Sequence, residues 1–308
     1  MATYSPNRGQ PNFDPSVDIP NLDNRVCLVV GGTSGLGEAT AVALARHHPK
    51  KLYLTARSRA KSDSTVARIR ASSEAAEAAN IEIIDLDLSS FESVREAAGV
   101  SLLPHAISTN GYEIQFATNY LGHALLTQLL MPKLLYTATL PGSDVRIISM
   151  SSRSHKTWSP QEGILFDELK SPMARRSAFA LYGQSTLAKT LFAHQLAKRY
   201  PKITSVSLHP GGVKTNVFEG EKGVNWLLYN LVIKPVVLLT GTTPEEGAKT
   251  QLWCSVSPDV ENGEYYEPVG VLGREGTLTK NDNLSEMLWN WTDKELKASG
   301  FSGWEQQS

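Results

Sequence analysis

The feature that most constrains the fold is a glycine-rich turn between a short apolar run and a helical pattern. Residues 25–30 read RVCLVV, residues 31–37 read GGTSGLG, and the helical segment EATAVALA follows. Gly31 permits a tight turn, Gly35 lets the backbone approach a pyrophosphate, and Gly37 lets the helix pack closely on the strand. The pattern predicts a dinucleotide-binding strand-turn-helix unit.

The start of that helix supplies the second part of the predicted nucleotide site. Ser34 and Leu36 lie among the turn glycines, where free backbone N–H groups and the positive end of the helix dipole would face the phosphates. The second predicted strand, KLYLTA, is followed by Arg57 rather than by Asp or Glu. An acidic residue there would bind ribose hydroxyls, whereas a guanidinium can pair with a 2′-phosphate. Arg57 therefore favours NADP(H), although a solvated Arg at a strand end would give the same sequence.

Short β-branched runs alternate with helical patterns along the rest of the chain. This alternation predicts right-handed βαβ units, and hence a doubly wound, Rossmann-type α/β fold with a mostly parallel sheet. A chain of 308 residues can bury one core of this kind, so we expect a single domain over residues 26–308 behind a flexible tail over 1–25. The predicted strands are at 26–30, 51–56, 81–87, 144–150, 204–209 and near 263–266, and the predicted helices at 35–46, 65–79, 111–135, 179–200 and 244–256.

Composition excludes several classes of function. The chain has 30 Lys and Arg against 31 Asp and Glu, so no strong positive field attracts nucleic acid. Cys27 and Cys254 are far apart and indicate neither a disulfide framework nor a metal site, which suits a reducing compartment. Residues 1–25 lack the apolar stretch of a secretory signal, and we expect a cytoplasmic protein. Residues 224–239 are apolar but too short to span a bilayer; they would suit a substrate lid, a membrane-surface contact or a core helix.

Five further motifs follow the glycine turn in order. They are Asp87 with Leu88 after the third predicted strand, Asn119 in TNYLGH, Ser152 after IISMS, Tyr182 in YGQS, and PGGVKT at residues 210–215. Together these motifs resemble the short-chain dehydrogenase/reductase family over nearly the whole chain. FATNYLGHALLT and VSLHPGGVKT are most similar to its retinol-dehydrogenase-like and fungal biosynthetic members. The resemblance implies an oxidoreductase that interconverts a carbonyl and an alcohol.

The resemblance also implies a role for each matched residue. Tyr182 would pass a proton to or from the substrate oxygen while hydride moves at the nicotinamide. Ser152 would hold that oxygen by a hydrogen bond, and Asn119 would support a water relay behind the site. Taken singly, such side chains also suit local roles as loop hydroxyls or helix residues. The remaining cofactor contacts would come from Asp87 at the adenine and from Val213 and Thr215 at the nicotinamide end.

One departure from the family pattern concerns the charge beside Tyr182. A phenol has a pKa near 10, so positive charge must favour its anion if it is to exchange a proton near neutral pH. The resemblance implies a Lys four residues after Tyr182, and this chain has Thr186 there. A unit charge about 5 Å away, at an effective dielectric near 20, contributes about 3 kcal/mol, or about two pKa units. Lys189 returns to the same helix face but lies about 10 Å further along the axis, so we expect weakened activity.

A second departure concerns the centre of the sheet. Family members carry a further helix, a fourth strand and an Asn-Asn-Ala-Gly turn after the Asp-Leu pair, but here only ten residues separate Asp87 from Ala98. Normal element lengths would require about 15 to 20 more. We therefore expect the fourth strand to be missing or replaced, with residues 100–103 as the local candidate. A skipped exon or a faulty gene model would leave the same sequence.

These features predict an NADP(H)-dependent oxidoreductase for a small-to-medium lipophilic carbonyl or secondary alcohol, in secondary metabolism. Residues 216–243 would form a variable substrate lid, and family habit suggests a homo-oligomer. The alternative is a catalytically weakened or inactive relative that binds nucleotide or protein partners. Thr186 and the missing strand favour this alternative, whereas the intact Asn119, Ser152 and Tyr182 favour the enzyme.

Overall fold

The computed structural model describes residues 10–56, 59–94, 105–213 and 241–304. Several sequence predictions fall outside these ranges, so they stay predictions. They concern Arg57, Thr215, the apolar run 100–103 and residues 216–240 of the expected lid.

Six strands in the described residues form two parallel sheets of three strands each, ordered β1-β2-β3 and β4-β5-β6. The strands are β1 (Val26–Val29), β2 (Lys51–Ala56), β3 (Ile81–Asp85), β4 (Arg146–Met150), β5 (Thr204–Leu208) and β6 (Tyr265–Tyr266). The α/β class and the parallel strand arrangement predicted from the sequence are confirmed. Each predicted strand is present, within two residues of its expected bounds at either end.

Helices connect the strands and cover the sheets. In chain order they are α1 (Pro15–Asp18), α2 (Gly35–Ala45), α3 (Arg59–Arg70), α4 (Glu74–Glu77), α5 (Phe91–Val94), α6 (Ile114–Phe116), a π-helical turn (Ala117–Leu121), α7 (Gly122–Ala138), α8 (Ser154–Thr157), α9 (Ala178–Arg199), α10 (Pro244–Val256) and α11 (Asp282–Ala298), with 3₁₀ turns at Phe166–Glu168 and Thr277–Lys280. None of the helices in the described ranges is both long and apolar enough to cross a membrane.

Two helix predictions need correction, and one helix was not predicted. The helix expected at 65–79 is two helices, because Ser73 accepts a hydrogen bond from the Ala76 N–H and caps a new start at Glu74. The helix expected at 111–135 begins at Ile114, where the Glu113 carboxylate caps its first turn. The 17-residue helix α11 was not predicted, although its start is capped by Asn281.

No hydrogen-bond ladder joins the two sheets within the described ranges. β1 and β4 are each end strands of their sheet, and Val26 and Leu28 of β1 are 61% and 37% exposed. The sheets are connected at their amino ends, where the Arg25 guanidinium donates to the Asp144 backbone carbonyl at 2.7 Å. Packing of α2 against α10 also links them, and there the Gln251 amide donates to the Thr40 hydroxyl at 3.0 Å.

Two apolar clusters form the core. One joins the α7, α9 and α11 helices on one side of the molecule, and the other joins β2 and β5 to α2 and α10. Phe13, Ile19 and Leu22 are buried in the second cluster. Residues 10–25 lie within the expected flexible tail, yet they contribute these three side chains to the core. Their short helix α1 has too few residues to show an apolar period in the sequence.

Candidate active site

The glycine turn has the backbone geometry that its sequence predicts. Gly31 and Gly35 have positive φ angles of 72° and 52°, a region that disfavours residues with a Cβ. The Gly31 N–H donates to the Thr55 hydroxyl at 2.9 Å, which attaches the turn to the end of β2. Gly37 packs directly on the turn, because a Cβ added there would lie 2.1 Å from the Gly31 carbonyl oxygen.

The N-terminus of α2 is available for an anion. Ser34 precedes the helix in an extended conformation, is exposed, and its side chain makes no capping hydrogen bond. Within the described part of the chain, the first N–H groups of α2 therefore have no side-chain acceptor, in the place where a helix dipole is positive. The turn and helix start fit the pyrophosphate of a dinucleotide.

Leu36 and Val213 come together from distant parts of the sequence. Both face Gly247 on α10, where an added Cβ would lie 2.9 Å from a Leu36 methyl and 2.4 Å from a Val213 methyl. The Val213 segment is held by a parallel bridge to Thr242, whose N–H donates to the Gly212 carbonyl at 2.7 Å. The predicted phosphate-binding and nicotinamide-binding residues thus share one apolar contact.

Asp87 follows β3 and bonds to its own loop. Its carboxylate accepts from the Ser89 N–H at 2.9 Å and from the Ser89 hydroxyl at 2.7 Å. This short-range arrangement fixes the loop that follows the strand. The predicted adenine contact stays a prediction.

The Tyr182 phenol and the Ser152 hydroxyl lie near each other. Ser152 follows β4, Tyr182 lies in the second turn of α9, and each side chain is half-buried. Burial raises the pKa of the Tyr182 phenol, and the Ser152 hydrogen bond lowers it in part. The Ser152 hydroxyl also lies 3.0 Å from the Ser154 hydroxyl and accepts from the Ser154 N–H at 3.3 Å. The Ser152 hydroxyl therefore forms hydrogen bonds within its own loop and also lies beside the Tyr182 phenol.

Asn119 lies in the five-residue π-helical turn Ala117–Leu121. Such turns hold one extra residue and occur frequently at functional sites. The buried Asn119 amide donates to the Ser185 hydroxyl at 3.1 Å, and Ser185 in turn donates to the Tyr182 carbonyl at 2.9 Å. Asn119 is thus connected to the first turns of α9 through one hydroxyl.

Thr186 supplies no charge to the phenol and bonds to its own helix. Its buried hydroxyl lies 3.0 Å from both the Tyr182 and the Gly183 carbonyl oxygens. No cation of the described residues acts on the pKa of Tyr182, and Lys189 is not among the groups that shift it. This agrees with the axial offset expected between Tyr182 and Lys189.

Lys189 instead lies close enough to His123 of α7 for its charge to act on that imidazole. Lys189 is the one partly exposed residue in the buried run 183–193. His123 is likewise the one partly exposed residue in the buried run 115–125. Burial lowers the pKa of the Lys189 ammonium to about 8. Burial, and then the Lys189 charge, lower the pKa of His123 well below its ordinary value.

Three aromatic residues near the site were not identified from the sequence. His209 follows β5, its buried Nδ1 has no partner among the described residues, and burial lowers its pKa to about 4. His155 lies on α8 three residues after Ser152. Trp158 packs its backbone on α9, since a Cβ at Gly183 would lie 2.6 Å from the Trp158 carbonyl carbon. In the sequence His155 and Trp158 follow Ser152 closely, and His209 directly precedes PGGVKT; these positions were the only available signal.

Known proteins share this fold and much of this sequence. A family model described as the KR domain matches residues 26–104. An uncharacterized oxidoreductase of Schizosaccharomyces pombe is 35% identical, over 90% of this chain and 86% of its own. A short-chain dehydrogenase/reductase of Armillaria gallica is 33% identical, over 91% and 93%. The crystal structure of an uncharacterized protein from Mycobacterium paratuberculosis has a TM-score of 0.68 at 25% identity, and the match covers 92% of this chain and 97% of that one.

The chain belongs to the short-chain dehydrogenase/reductase family. It is an oxidoreductase of that family, whose members generally bind a nicotinamide cofactor and act on small-molecule carbonyls or alcohols. Retinol dehydrogenase 12 of Mus musculus, 30% identical over 89% of this chain and 86% of its own, is one of its relatives. The resemblance to retinol-dehydrogenase-like and fungal members is confirmed.

Proposed function

We propose that this protein is an NADP(H)-dependent oxidoreductase that interconverts a lipophilic carbonyl and its alcohol. The observation that carries the proposal is that the Ser152 hydroxyl lies near enough to the Tyr182 phenol to lower the pKa of the phenol. Two hydroxyls in contact can hold one substrate oxygen, with the phenol as the group that gives or takes its proton. Residues 26–308 would form the catalytic domain.

Each residue of this pair and of its surroundings would have its own role. Tyr182 moves the proton, Ser152 orients the substrate oxygen, and Asn119 stabilises the start of α9 through Ser185. A bound nicotinamide nucleotide supplies or accepts the hydride. Its phosphates would lie at the turn formed by Gly31, Ser34, Gly35, Leu36 and Gly37, with Arg57 at the 2′-phosphate, Asp87 at the adenine, and Val213 and Thr215 at the nicotinamide.

Preference for NADP(H) over NAD(H) can be tested directly by binding. We expect NADPH to bind more tightly than NADH, and Arg57→Ala to weaken NADPH about 10- to 100-fold, because hydrogen bonds to a charged group contribute about 1.5 to 3 kcal/mol. NADH affinity should stay unchanged in Arg57→Ala. Titration calorimetry, followed by NADPH oxidation with a panel of carbonyl compounds, measures both steps. Equal affinities for the two nucleotides, or binding with no turnover on any carbonyl, would contradict the proposal.

An aromatic surface next to Tyr182 favours a lipophilic substrate. Trp158 is 42% exposed, and its ring centroid lies 4.6 Å from that of Phe179. Phe179 precedes Tyr182 by three residues and so lies on the same side of α9. Exposed aromatic rings beside a polar pair are typical of pockets for apolar ligands.

Removing this surface should affect large substrates most. In Trp158→Ala we expect KM for a bulky lipophilic carbonyl to rise at least tenfold, because burial of a large apolar side chain contributes about 1.5 to 3 kcal/mol. KM for a three-carbon ketone should change less than twofold. Steady-state kinetics of both substrates measure the difference, with Met287→Ala, an exposed apolar residue of α11, as control. A uniform change for both substrates would show that Trp158 does not contact the larger one.

Two further properties are proposed. Leu129 and Tyr136 of α7 and the nearby Leu140 are exposed apolar residues, and this supports a homo-oligomer formed through α7. The absence of a central segment is a further proposal. In the alignment with the Schizosaccharomyces pombe relative, 305 positions include 90% of this chain, about 277 of 308 residues, so about 28 positions are gaps in this chain, enough in number for the 15 to 20 residues expected to be missing.

A further inference from the structure

His155 connects the Ser152 loop to a distant part of the chain. Its Nδ1 lies 2.5 Å from the Ser152 carbonyl oxygen, and its Nε2 lies 2.9 Å from the Gly276 backbone nitrogen. The Gly276 N–H can only donate, so Nε2 accepts and Nδ1 carries the ring proton that is donated to Ser152. Both bonds require one neutral tautomer of the imidazole.

The surroundings of His155 preserve this tautomer. The side chain is buried, and burial lowers its pKa below the ordinary value although the Ser152 bond acts in the opposite direction. The rings of His155 and Tyr265 are in edge-to-face contact, with their centroids 4.9 Å apart. Glu267 lies close by, paired with Arg153 and accepting from the Tyr265 hydroxyl at 2.7 Å. The ring thus has little freedom to turn.

The Gly276 side of the connection is equally specific. The Lys156 ammonium donates to the Arg274 carbonyl at 2.5 Å, so two successive residues of α8 hold the 274–276 segment. A Cβ at Gly276 would lie 2.7 Å from the Lys156 Cβ, which shows how closely the segment packs on α8. Motion of this segment would be transmitted to the residues that precede α8.

We infer that His155 is a positioning residue, which fixes Ser152 beside Tyr182 by donating its ring Nδ1–H to the Ser152 carbonyl, while the Gly276 N–H holds the ring in the tautomer that can donate. The inference rests on the proposed function, because it assigns the hydroxyl of Ser152 to the substrate oxygen. The Ser152 carbonyl accepts both the backbone N–H of His155 at 3.1 Å and the ring Nδ1–H. Two donors on one carbonyl set the orientation of the residue whose hydroxyl meets the phenol.

Two amide substitutions separate the two bonds of the ring. Asn carries its amide nitrogen on Cγ, as His carries Nδ1, so His155→Asn can still donate to the Ser152 carbonyl. Gln reaches one atom further, so His155→Gln can replace Nε2 at Gly276 but not Nδ1. We expect kcat to fall 10- to 100-fold in His155→Gln and His155→Ala, the size of effect that a small misplacement near the reacting atoms produces. His155→Asn should stay within about threefold of wild type, and KM for NADPH should change little in all three.

A spectroscopic measurement distinguishes this role from general destabilisation. In protein labelled with ¹³Cζ-tyrosine, the Tyr182 resonance is assigned by its absence from Tyr182→Phe. It should shift in His155→Gln and His155→Ala, which release Ser152, and stay unchanged in His155→Asn. His194→Ala on α9, whose ring lies 3.3 Å from Asp282, is the matched control and should change neither kcat nor the resonance.

The outcomes separate failure of the inference from failure of the proposed function. Equal losses in His155→Asn and His155→Gln, or a folded His155→Ala with wild-type kcat and an unmoved Tyr182 resonance, would overturn the inference. If the wild type shows no turnover, the proposed function fails, and the Tyr182 resonance still decides the role of His155. If the variants do not fold, ¹⁵N-histidine spectra of the wild type decide it: a neutral ring protonated on Nδ1 supports the inference, and any other form at pH 7 refutes it.

Discussion

Replacing Tyr182 with Phe is expected to lower kcat by about 100- to 10,000-fold, the range that a positioned general acid or base contributes. The substitution removes one hydroxyl, whose partner among the described residues is Ser152. The ring itself is kept, so the packing of α9 and the affinity for NADPH should not change. Circular dichroism, NADPH titration and steady-state kinetics together test this expectation.

The control for this variant is Tyr136→Phe. Tyr136 is a largely exposed tyrosine of α7, outside the proposed site, and losing its hydroxyl should leave kcat unchanged. If Tyr182→Phe retained more than a tenth of the wild-type kcat, another group would have to carry the proton, and the proposed role of Tyr182 would be wrong.

Thr186→Lys is expected to raise kcat at pH 7 by about 100-fold. A cation about 5 Å from the phenol would lower the pKa of Tyr182 by about two units, since it stabilises the phenolate by about 3 kcal/mol. At present burial raises that pKa and no described cation opposes it. Because the phenolate would form at lower pH, the rise of alcohol oxidation with pH should move about two units downward. Rates measured between pH 6 and pH 10 give both quantities.

Thr186→Met separates charge from side-chain length in this test. Met is long and flexible but uncharged, so it should not move the pH profile. Either substitution removes the hydroxyl bonds of Thr186 to the Tyr182 and Gly183 carbonyls, which makes the two variants equivalent in that respect. An unchanged pH profile in a folded Thr186→Lys, or the same gain in Thr186→Met, would show that charge does not limit the reaction.

Local patterns predicted much of the fold. Runs rich in β-branched, aromatic and other apolar residues gave all six described strands, because such side chains favour the strand conformation. Gly31, Gly35 and Gly37 predicted a turn whose geometry is the one observed, since their requirement for space and positive φ is a property of the backbone itself. The break at Ser73 was missed because a single cap interrupted a continuous helical period.

Contacts between residues far apart in the sequence could not be predicted from sequence patterns. His155 and Gly276 are 121 positions apart, and nothing in the local sequence of either indicates the other. Leu36 and Val213 were each predicted at the cofactor, but their shared contact with Gly247 depends on how α10 packs. The effect of the Lys189 charge on the pKa of His123 likewise depends on how α7 and α9 lie together.

The separation of β1 from β4 has a consequence for cooperative unfolding. Cooperativity requires that each part of a molecule lose its contacts when its neighbour melts. Within the described ranges, the two sheets depend on helix packing and on the link between Arg25 and Asp144 rather than on a shared ladder. A dinucleotide held as proposed, with its phosphates at β1 and its nicotinamide near β4, would bridge the two sheets, because one covalently continuous molecule would contact both of them. The bound ligand would then contribute to the stability of the whole fold. Its concentration would decide whether the two sheets unfold together or one after the other.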